Sequence, residues 1–412
     1  MTEHYDFRET RSAAEREAEL ATRLPALIAH AQAKSPAMAS ILKEVNASHV
    51  NTRAALAGLP VTRKSELLDL QKAMRPFGGF NAGGYGETIA RVYASPGPIY
   101  EPEGVQSDYV RVARALFAAG LRKGDLAYNT FSYHMTPGGW MMDAGARALG
   151  CAVFPGGVGN TEQQVAAMHD LQPTAYAGTP SFLRILLEKA DEIGAPIRFL
   201  KHALVSGEYF APQVRALFAE RGIHALQCYA TADAGLIAYE TPAREGMVID
   251  EDIIVEIVRP GTGEVLPDGE VGEVVVTTCN QAYPLVRFGT GDLSAIMAGA
   301  SPCGRTNARI KGWLGRADQT AKVKGMFVHP SQIAEVSKRF SEVKKVRLTI
   351  TNPDQRDTMA LSCECAAGNN GLQSAIEQTL RDVTKLGGEV SFCAVGSLPN
   401  DGKVIDDQRK IE

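Results

Sequence analysis

Side chains that could do chemistry stand beside glycines at the ends of apolar runs in this sequence. Asp292 closes the stretch RFGTGD at 287–292, and its ionised carboxylate offers two strong acceptor oxygens to neighbouring hydroxyl groups. Tyr229, Thr231 and Asp233 follow one another closely after an apolar run, where they offer a ring, a hydroxyl group and a carboxylate. A turn aspartate is often merely solvated, and a tyrosine at a strand end is often half buried. Both alternatives stay open at this point.

Two further segments combine polar side chains with a glycine. Ser206-Gly207-Glu208 follows an apolar run, and its glycine permits close approach of the backbone to a ligand. Lys403 ends the polar turn PNDGK at 399–403. A mobile ammonium group could there neutralise negative charge that develops during a reaction. The structural alternative is an ordinary solvated lysine.

Helices and short strands alternate in the part of the chain that precedes these segments. A helix is expected over residues 12–35, which space their leucines as an amphipathic helix does. Between 104 and 193 the apolar pattern is typical of βαβ units and a mostly parallel sheet. The predicted helices there cover 105–119 and 140–149 and begin again at Thr161 and Pro180; the predicted strands cover 126–131, 151–154 and 174–177. Thr161 with Gln164 predicts a capping box, and Thr179-Pro180 predicts a second capped helix start.

The pattern changes in the second half of the chain. A strand at 203–205, a helix at 213–220 and a strand at 225–229 continue the layers, whereas 252–258 and 271–278 predict antiparallel strands joined by Pro-Gly turns. The last hundred residues predict a β-α-β-β-α-β unit, with helices at 330–339 and 372–386 and strands near 321–328, 345–351, 358–365 and 388–393. The fold class is α/β. A large N-terminal domain of layered, mostly parallel sheets with an antiparallel section is expected over 1–315, and a small α+β domain over 316–412.

Composition narrows the classes of function. The 412 residues carry 43 Lys and Arg against 47 Asp and Glu, a net charge of -4, so we expect no nucleic-acid partner and no membrane surface. No apolar run approaches the length of a membrane span, and the polar N-terminus predicts a cytoplasmic protein. Seven scattered cysteines indicate free thiols in a reducing compartment, with no metal site at Cys363 and Cys365. Small molecules are therefore the expected partners.

Seven segments occur in one order along nearly the whole chain: LAGLPVTRKSEL, LGCAVFPGGVGNTEQQVAAMHDLQPTAYAGTPSFL, TGEVLPDGEVGEVVVTT, YPLVRFGTGDL, CGRTNARIKGWLGRAD, KGMFVHPSQI and SLPNDGK. Their order and residue types resemble the phenylacetate–coenzyme A ligases, a branch of the acyl-adenylate-forming enzymes. The resemblance implies ATP-dependent activation of a carboxylic acid, aromatic and phenylacetate-like, to an acyl-adenylate. Thioester formation with coenzyme A would follow. It also implies a mobile C-terminal domain and leaves a homodimer open.

The resemblance implies roles on the nucleotide side. Asp292 would bind both ribose hydroxyls of ATP or AMP, and Tyr229 would stack on adenine beside the turn of Ser206, Gly207 and Glu208. Thr231 would lie near phosphate, and Asp233, which replaces the family's glutamate, would bind Mg²⁺ with a shorter reach.

The same resemblance implies three roles in the small domain. Lys403 would be the catalytic lysine, Asp318 the hinge between the two domains, and Gly325 the residue whose missing side chain leaves room for the arm of coenzyme A. The expected acid pocket is formed by Tyr133, His134, Gly138 and Ala230. His134 could equally be an ordinary satisfied polar side chain.

The phosphate loop departs from the family pattern. The family's loop reads approximately Ser-Ser-Gly-Thr-Thr-Gly-Lys, whereas this chain reads ASPGPIYEP at 94–102 and keeps Ser95 and Gly97. Prolines remove backbone donors, the lysine is missing, and Glu101 would repel a triphosphate. Two alternatives therefore stand beside the acid–coenzyme A ligase: adenylation or acyl transfer to a carrier or amine partner, and a non-catalytic protein that binds nucleotide or acyl-CoA.

Overall fold

The chain forms two compact units, Met1–Gly315 and Arg316–Glu412, called the large and the small unit below. The computed structural model describes residues 3–95, 99–314, 317, 321–324, 326–328, 330–353, 356–399 and 403–409. Gly97, Asp318 and Gly325 lie outside the described residues, so their predicted roles stay predictions. Within the described residues no helix is long and apolar enough to cross a membrane.

The helices of the large unit contribute to two separate apolar clusters, one on each face of its largest sheet. They are α1 (Ala13–Lys34), α2 (Pro36–Ile41), α3 (Arg53–Ala57), α4 (Lys64–Ala73), α5 (Ala113–Ala118), α6 (Gly138–Ala148), α7 (Thr161–Leu171), α8 (Pro180–Glu192) and α9 (Pro212–Glu220), with 3₁₀ turns at Phe7–Thr10 and Ala47–His49. The leucines of α1 lie buried on one side, as the amphipathic pattern predicted.

The strands of the large unit form three sheets. They are β1 (Thr62–Arg63), β2 (Ile89–Ser95), β3 (Ile99–Gly104), β4 (Leu126–Asn129), β5 (Ala152–Pro155), β6 (Ala175–Gly178), β7 (His202–Val205), β8 (His224–Thr231), β9 (Gly235–Tyr239), β10 (Met247–Ile249), β11 (Ile253–Val258), β12 (Gly272–Thr278), β13 (Phe288–Ser294), β14 (Ile296–Met297) and β15 (Arg309–Ile310).

Parallel pairing predominates in one half of the largest sheet. The largest sheet has the order β14-β15-β10-β9-β8-β7-β6-β4-β5, parallel from β5 to β8 and antiparallel beyond β8. A second sheet, β1-β13-β12-β11, holds the predicted antiparallel strands, and β2 with β3 forms a hairpin. The predicted mixture of parallel and antiparallel layers is confirmed.

Two local predictions in this unit are wrong, and each has a physical reason. The helix expected over 105–119 begins only at Ala113, because Asp108 and Arg111 adopt left-handed φ values of 49° and 65° and interrupt the chain before it. The Asp108 carboxylate accepts hydrogen bonds from the N–H groups of Val112 and Ala113 at 2.9 and 3.0 Å. A side chain thus takes the place of the expected first helical turns.

The second wrong prediction is the capping box at α7. Asn160, in the left-handed region, precedes the helix and provides no side-chain cap. The Gln164 side-chain amide instead donates to the carbonyl groups of Gly157 and Gly159 at 3.0 and 2.8 Å, so it fixes the loop before the helix. The helix start at Thr179 is confirmed, since its hydroxyl oxygen accepts a hydrogen bond from the N–H of Phe182.

The small unit is an α+β layer. It contains β16 (Ala321–Val323), β17 (Met326–Val328), α10 (Pro330–Lys338), β18 (Val343–Thr351), β19 (Thr358–Cys365), α11 (Asn370–Thr384), β20 (Glu389–Cys393) and β21 (Ile405–Asp407). Four strands form the sheet β20-β19-β18-β21, whereas the strand predicted at 321–328 is a hairpin of two. Cys363 and Cys365 are buried free thiols, and no cluster of three metal-binding side chains occurs in the described parts of the chain.

Candidate active site

Asp292 lies buried on β13 and accepts hydrogen bonds at both carboxylate oxygens. The Tyr229 hydroxyl group donates to Oδ2 at 2.7 Å, and the indole N–H of Trp313 donates to Oδ1 at 3.0 Å. The hydroxyl group of Thr290 accepts from the Asp292 N–H at 3.1 Å and lies 3.2 Å from the Tyr229 oxygen. The structure thus brings together the residues predicted to bind ribose and adenine.

This carboxylate has the acceptor chemistry that a sugar requires. A carboxylate oxygen has two lone pairs and can accept more than one hydrogen bond. Trp313 and Tyr229 fix the orientation of the carboxylate, and charge-assisted hydrogen bonds to two hydroxyl groups would be strong. Sequence reasoning missed Trp313. The sequence signal for this residue is a tryptophan, with an indole N–H donor, just after β15, where the chain leaves the sheet.

The strand that carries Tyr229 ends in a tight turn. The pairing of β8 with β9 shifts between Tyr229 and Ala230, and Gly235 opens β9 with a φ of 74°. An added Cβ at Gly235 would lie 2.9 Å from the carbonyl oxygen of Val110, so only glycine fits. The Thr231 hydroxyl oxygen accepts from the N–H of Ala234 at 3.1 Å. The hydroxyl group predicted to lie near phosphate therefore also stabilises this turn.

Asp233 is buried in that turn and contacts a lysine that sequence reasoning missed. The Lys64 ammonium group binds Asp233 Oδ2, and the lysine side chain is 23% exposed whereas that of Asp233 is fully buried. The other carboxylate oxygen, Oδ1, is buried and has no hydrogen-bond partner among the described residues. A buried carboxylate oxygen without a donor fits a hard cation such as Mg²⁺, which binds oxygen ligands. The signal for Lys64 was its place in the segment LPVTRKSEL.

Glu101 adds a second buried carboxyl group on the same side. The Ser95 N–H donates to Glu101 Oε2 at 3.2 Å, and the Ser95 hydroxyl group donates to Oε1. Burial, followed by the negative charge of Asp233, raises the pKa of Glu101 to about 8. Ser95, predicted to lie in the phosphate loop, therefore binds a carboxyl group of the protein in this structure.

Helix α4 connects this carboxyl group with Lys64. The Gln71 side chain makes two hydrogen bonds to the backbone of Tyr100, donating to its carbonyl group at 2.8 Å and accepting from its N–H at 2.9 Å. Tyr100 precedes Glu101 on β3, and Lys64 is the first residue of the same helix. Just before it, Thr62 pairs with Phe288 of β13, the strand that carries Asp292. The hairpin, the lysine and the ribose-side strand are thus held together.

The carboxyl ends of the parallel strands bring the remaining predicted residues to one edge. Ser206 follows β7 and donates to the carbonyl group of Cys228 on β8 at 2.8 Å. Gly207 has a φ of 84°, in the region that favours glycine. Glu208 accepts from the N–H of Ser181 at 2.6 Å, so it caps the first turn of α8. Glu208 thus has a structural contact beside its predicted place on the adenine side.

The predicted acid pocket follows β4 at the same edge. The Tyr133 hydroxyl oxygen accepts from the side-chain amide of Asn129 at 2.7 Å, and its ring packs edge-on against Trp140, 5.3 Å between centroids. His134 is exposed, and its backbone N–H donates to the Ser132 hydroxyl group at 3.3 Å. Gly138 begins α6.

Phe131, which sequence reasoning did not single out, connects this segment with the adenine side. A Cβ added to Gly138 would lie 3.4 Å from the Phe131 ring, and one added to Gly207 would lie 3.5 Å from it. Ala230, the fourth predicted pocket residue, is half buried on β8 between Tyr229 and Thr231. The structure thus places an aromatic ring between the predicted acid and adenine segments.

Comparison with known proteins identifies the family of this chain. A sequence model described as an AMP-binding enzyme matches residues 130–283. The phenylacetate–coenzyme A ligase of Thermus thermophilus is 33% identical over 338 residues, which are 78% of this chain and 75% of that enzyme. The enzyme of Pseudomonas putida is 34% identical over 311 residues, 71% of this chain and 69% of its own. The chain belongs to the phenylacetate–coenzyme A ligase family.

Solved structures agree with this membership. A 2-hydroxyisobutyryl-CoA ligase, in complex with 2-HIB-AMP and CoA, matches with a TM-score of 0.81 at 26% identity, over 98% of this chain and 92% of that one. The amide bond synthetase McbA of Marinactinospora thermotolerans, at 17% identity and a TM-score of 0.57, shares the fold. The chain is an AMP-forming acid–coenzyme A ligase, which makes an acyl-adenylate with ATP and then a thioester with coenzyme A. The carrier, amine and non-catalytic alternatives are not favoured.

In the small unit of this family member, Lys403 lies two residues before the start of β21. Its side chain is about half exposed, with the ammonium nitrogen 3.6 Å from Asp406 Oδ1. Its carbonyl oxygen accepts from the Arg347 guanidinium group at 3.2 Å, which fixes the backbone at this point. An exposed ammonium group on a fixed backbone is compatible with the predicted catalytic role, which stays a prediction.

Proposed function

We propose that the acid activated by this ligase is aromatic. We also propose that Asp292 and Tyr229 bind the nucleotide and that Lys403 promotes the adenylation step. The observation that carries the nucleotide assignment is the hydrogen bonding of Asp292, which Tyr229 and Trp313 orient at both oxygens. Tyr229 would present its ring to adenine while its hydroxyl group remains on Asp292. The turn of Ser206, Gly207 and Glu208 supports this assignment because it lies at the neighbouring strand end.

The acid would bind beside the rings that follow β4. Tyr133 and Trp140 pack edge-on, and the Arg91 guanidinium group lies 4.7 Å from the Trp140 ring centroid. The rings supply apolar area that suits a ring-bearing acid. Phenylacetate is the substrate named for the relatives, and 2-hydroxyisobutyrate is the acid named for the solved ligase. We therefore propose phenylacetate or a similarly compact aromatic acid.

Asp233 would hold the Mg²⁺ ion that accompanies ATP. Its buried Oδ1 fits the group, and Mg²⁺ would neutralise part of the phosphate charge when bound. The chain's own contribution is to keep this oxygen at a fixed place in the turn after Thr231. Lys403 would add a positive charge where the acid carboxylate and the α-phosphate meet.

Acid-dependent exchange between ATP and pyrophosphate tests the proposal. The acids compared would be phenylacetate, benzoate, 2-hydroxyisobutyrate and acetate, and we expect the fastest exchange with phenylacetate or benzoate. Lys403→Ala should abolish most of the exchange, whereas Lys344→Ala, an exposed lysine of the same unit, should leave it unchanged. The aromatic assignment is wrong if acetate or 2-hydroxyisobutyrate gives the fastest exchange.

Three parts of this proposal rest on the family likeness alone. They are the rotation of the small unit about Asp318, a path for coenzyme A beside Gly325, and a homodimer. A cytoplasmic location is expected from the sequence. Sedimentation of the purified protein would test the dimer, since a single species of 44.2 kDa would contradict it.

A further inference from the structure

The phosphate side of the site has a charge arrangement that the sequence comparison did not explain. Ser95 and Gly97 take the first and third places of the seven-residue loop pattern, so Glu101 falls on the place of its lysine. The loop therefore carries a carboxyl group where a cation was expected. A triphosphate needs positive charge near its β- and γ-phosphates, because its own negative charge must be balanced when it leaves water.

Lys64 provides a cation at this position from another element. Its ammonium group contacts Asp233, which follows Tyr229 by four residues in the chain, and Tyr229 binds Asp292. The ammonium group is thus connected through one turn to the residues assigned to the nucleoside. The lysine side chain is 23% exposed, against 0% for that of Asp233, so phosphate oxygens that approach from solvent would meet the lysine first.

The surroundings of Lys64 hold the ammonium group in place. Lys64 is the first residue of the ten-residue helix α4, and the positive end of a helix dipole favours anions. Gln71 ties the same helix to Tyr100 with two hydrogen bonds, and Ser95 holds Glu101 with two more. Because Glu101 and Asp233 are both buried, neither carboxyl group can turn away into solvent.

We propose that Lys64 is the cation that binds the phosphate chain of ATP in this protein, where Glu101 occupies the place of the loop lysine. The inference rests on the proposed nucleoside site at Asp292 and Tyr229. In adenylation, an oxygen of the acid forms a bond to the α-phosphorus while the bond to the bridging oxygen breaks, and pyrophosphate leaves with that electron pair. Lys64 donates to the oxygens of this leaving group.

The main test compares Lys64→Met with Lys72→Met. Methionine keeps an unbranched stem without the charge, and Lys72 is an exposed lysine of the same helix that pairs with Asp69 at 2.9 Å. We expect Lys64→Met to raise the KM for ATP and pyrophosphate roughly 10- to 100-fold, the range of a charge-assisted hydrogen bond. The affinity for AMP, which lacks the outer phosphates, should stay the same. Lys72→Met should change neither quantity.

A second variant tests whether a cation at position 101 can take over the role of Lys64. Glu101→Lys in the Lys64→Met protein should recover the KM for ATP to within a few-fold of the starting protein, whereas Glu101→Gln should not. Should Lys64→Met fail to fold, Glu101→Lys alone gives the answer, because an added cation should lower the KM for ATP without changing AMP affinity. An unchanged KM for ATP in that variant overturns the proposal.

Two outcomes separate this inference from the proposed function. If Lys64→Met weakens AMP and ATP equally, or leaves both unchanged, Lys64 is only a structural partner of Asp233 and the inference fails alone. If the starting protein shows no exchange with any acid, the proposed function fails, and direct ATP binding by the two lysine variants still decides the role of Lys64.

Discussion

The two sides of the proposed nucleotide site in the large unit differ in how the protein holds its charged groups. On the proposed nucleoside side, neutral donors, the Tyr229 hydroxyl group and the Trp313 indole, orient the Asp292 carboxylate. On the proposed phosphate side, Lys64 binds Asp233, and the negative charge of Asp233 helps to raise the pKa of the buried Glu101. A nucleoside would therefore meet a carboxylate that neutral groups orient, whereas phosphate oxygens would compete with Asp233 for Lys64.

The largest effect is expected from Asp292→Ala. Two charge-assisted hydrogen bonds to ribose would be lost, worth about 3 kcal/mol or more together, so kcat/KM for ATP should fall at least ~100-fold. AMP binding should fall by a similar factor because the sugar is shared. Asp268→Ala, an exposed turn aspartate of the same unit, is the control. A variant that loses ATP but keeps AMP would place Asp292 on the phosphate side.

Trp313→Phe should have a smaller and more specific effect. The indole N–H that orients Asp292 disappears while most of the ring remains, so we expect an increase in the KM for ATP of about 10-fold. The preference for ATP over 2′-deoxy-ATP should decrease in the same variant, because the Asp292 carboxylate is proposed to bind the sugar hydroxyls. A purely structural role of Trp313 would lower thermal stability but leave this preference intact.

The pH dependence should distinguish the phosphate side from the nucleoside side. A carboxyl group whose pKa is raised to about 8 stays protonated and neutral below that pH and becomes negative above it. The KM for ATP should therefore rise from pH 7.5 to pH 9 by more in the starting protein than in Glu101→Gln. The affinity for adenosine, which carries no phosphate, should not change with Glu101. Parallel profiles of the two proteins for ATP would contradict the prediction.

The smallest effect is expected at Thr231. Thr231→Val removes the acceptor for the Ala234 N–H in the turn after β8, which should lower the free energy of unfolding by about 1 kcal/mol. Thr231→Ser keeps the hydroxyl group and should cost less. Both tryptophans, Trp140 and Trp313, lie in the large unit, so urea unfolding followed by their fluorescence reports on it. If Thr231→Val unfolds normally but loses ATP affinity, the hydroxyl group contacts the nucleotide instead.

The sequence predicted most elements because periodicity and helix starts are local signals. The helices around α6, α8 and α9 and the strands β11, β12 and β19 appear within one or two residues of their expected positions. The helix at 105–119 was wrong because left-handed residues such as Asp108 leave no trace in an apolar pattern. The ribose-side residues followed from recognised motifs.

Residues that act through distant contacts could not be predicted in this way. Lys64 and Asp233 are separated by 169 residues, and Trp313 and Asp292 meet only because the chain returns past β13 after β15. From its charge alone, Glu101 is predicted to repel phosphate. The sequence did not show that it would be buried and held by Ser95.

The double hydrogen bond between Gln71 and Tyr100 has a consequence for engineering this protein. It joins the hairpin of β2 and β3 to helix α4, which begins with Lys64, so the hairpin and the helix would have to be exchanged together. A phosphate loop transplanted into this chain would therefore have to keep a backbone partner for Gln71 at the place of Tyr100, or α4 would have to be exchanged with it.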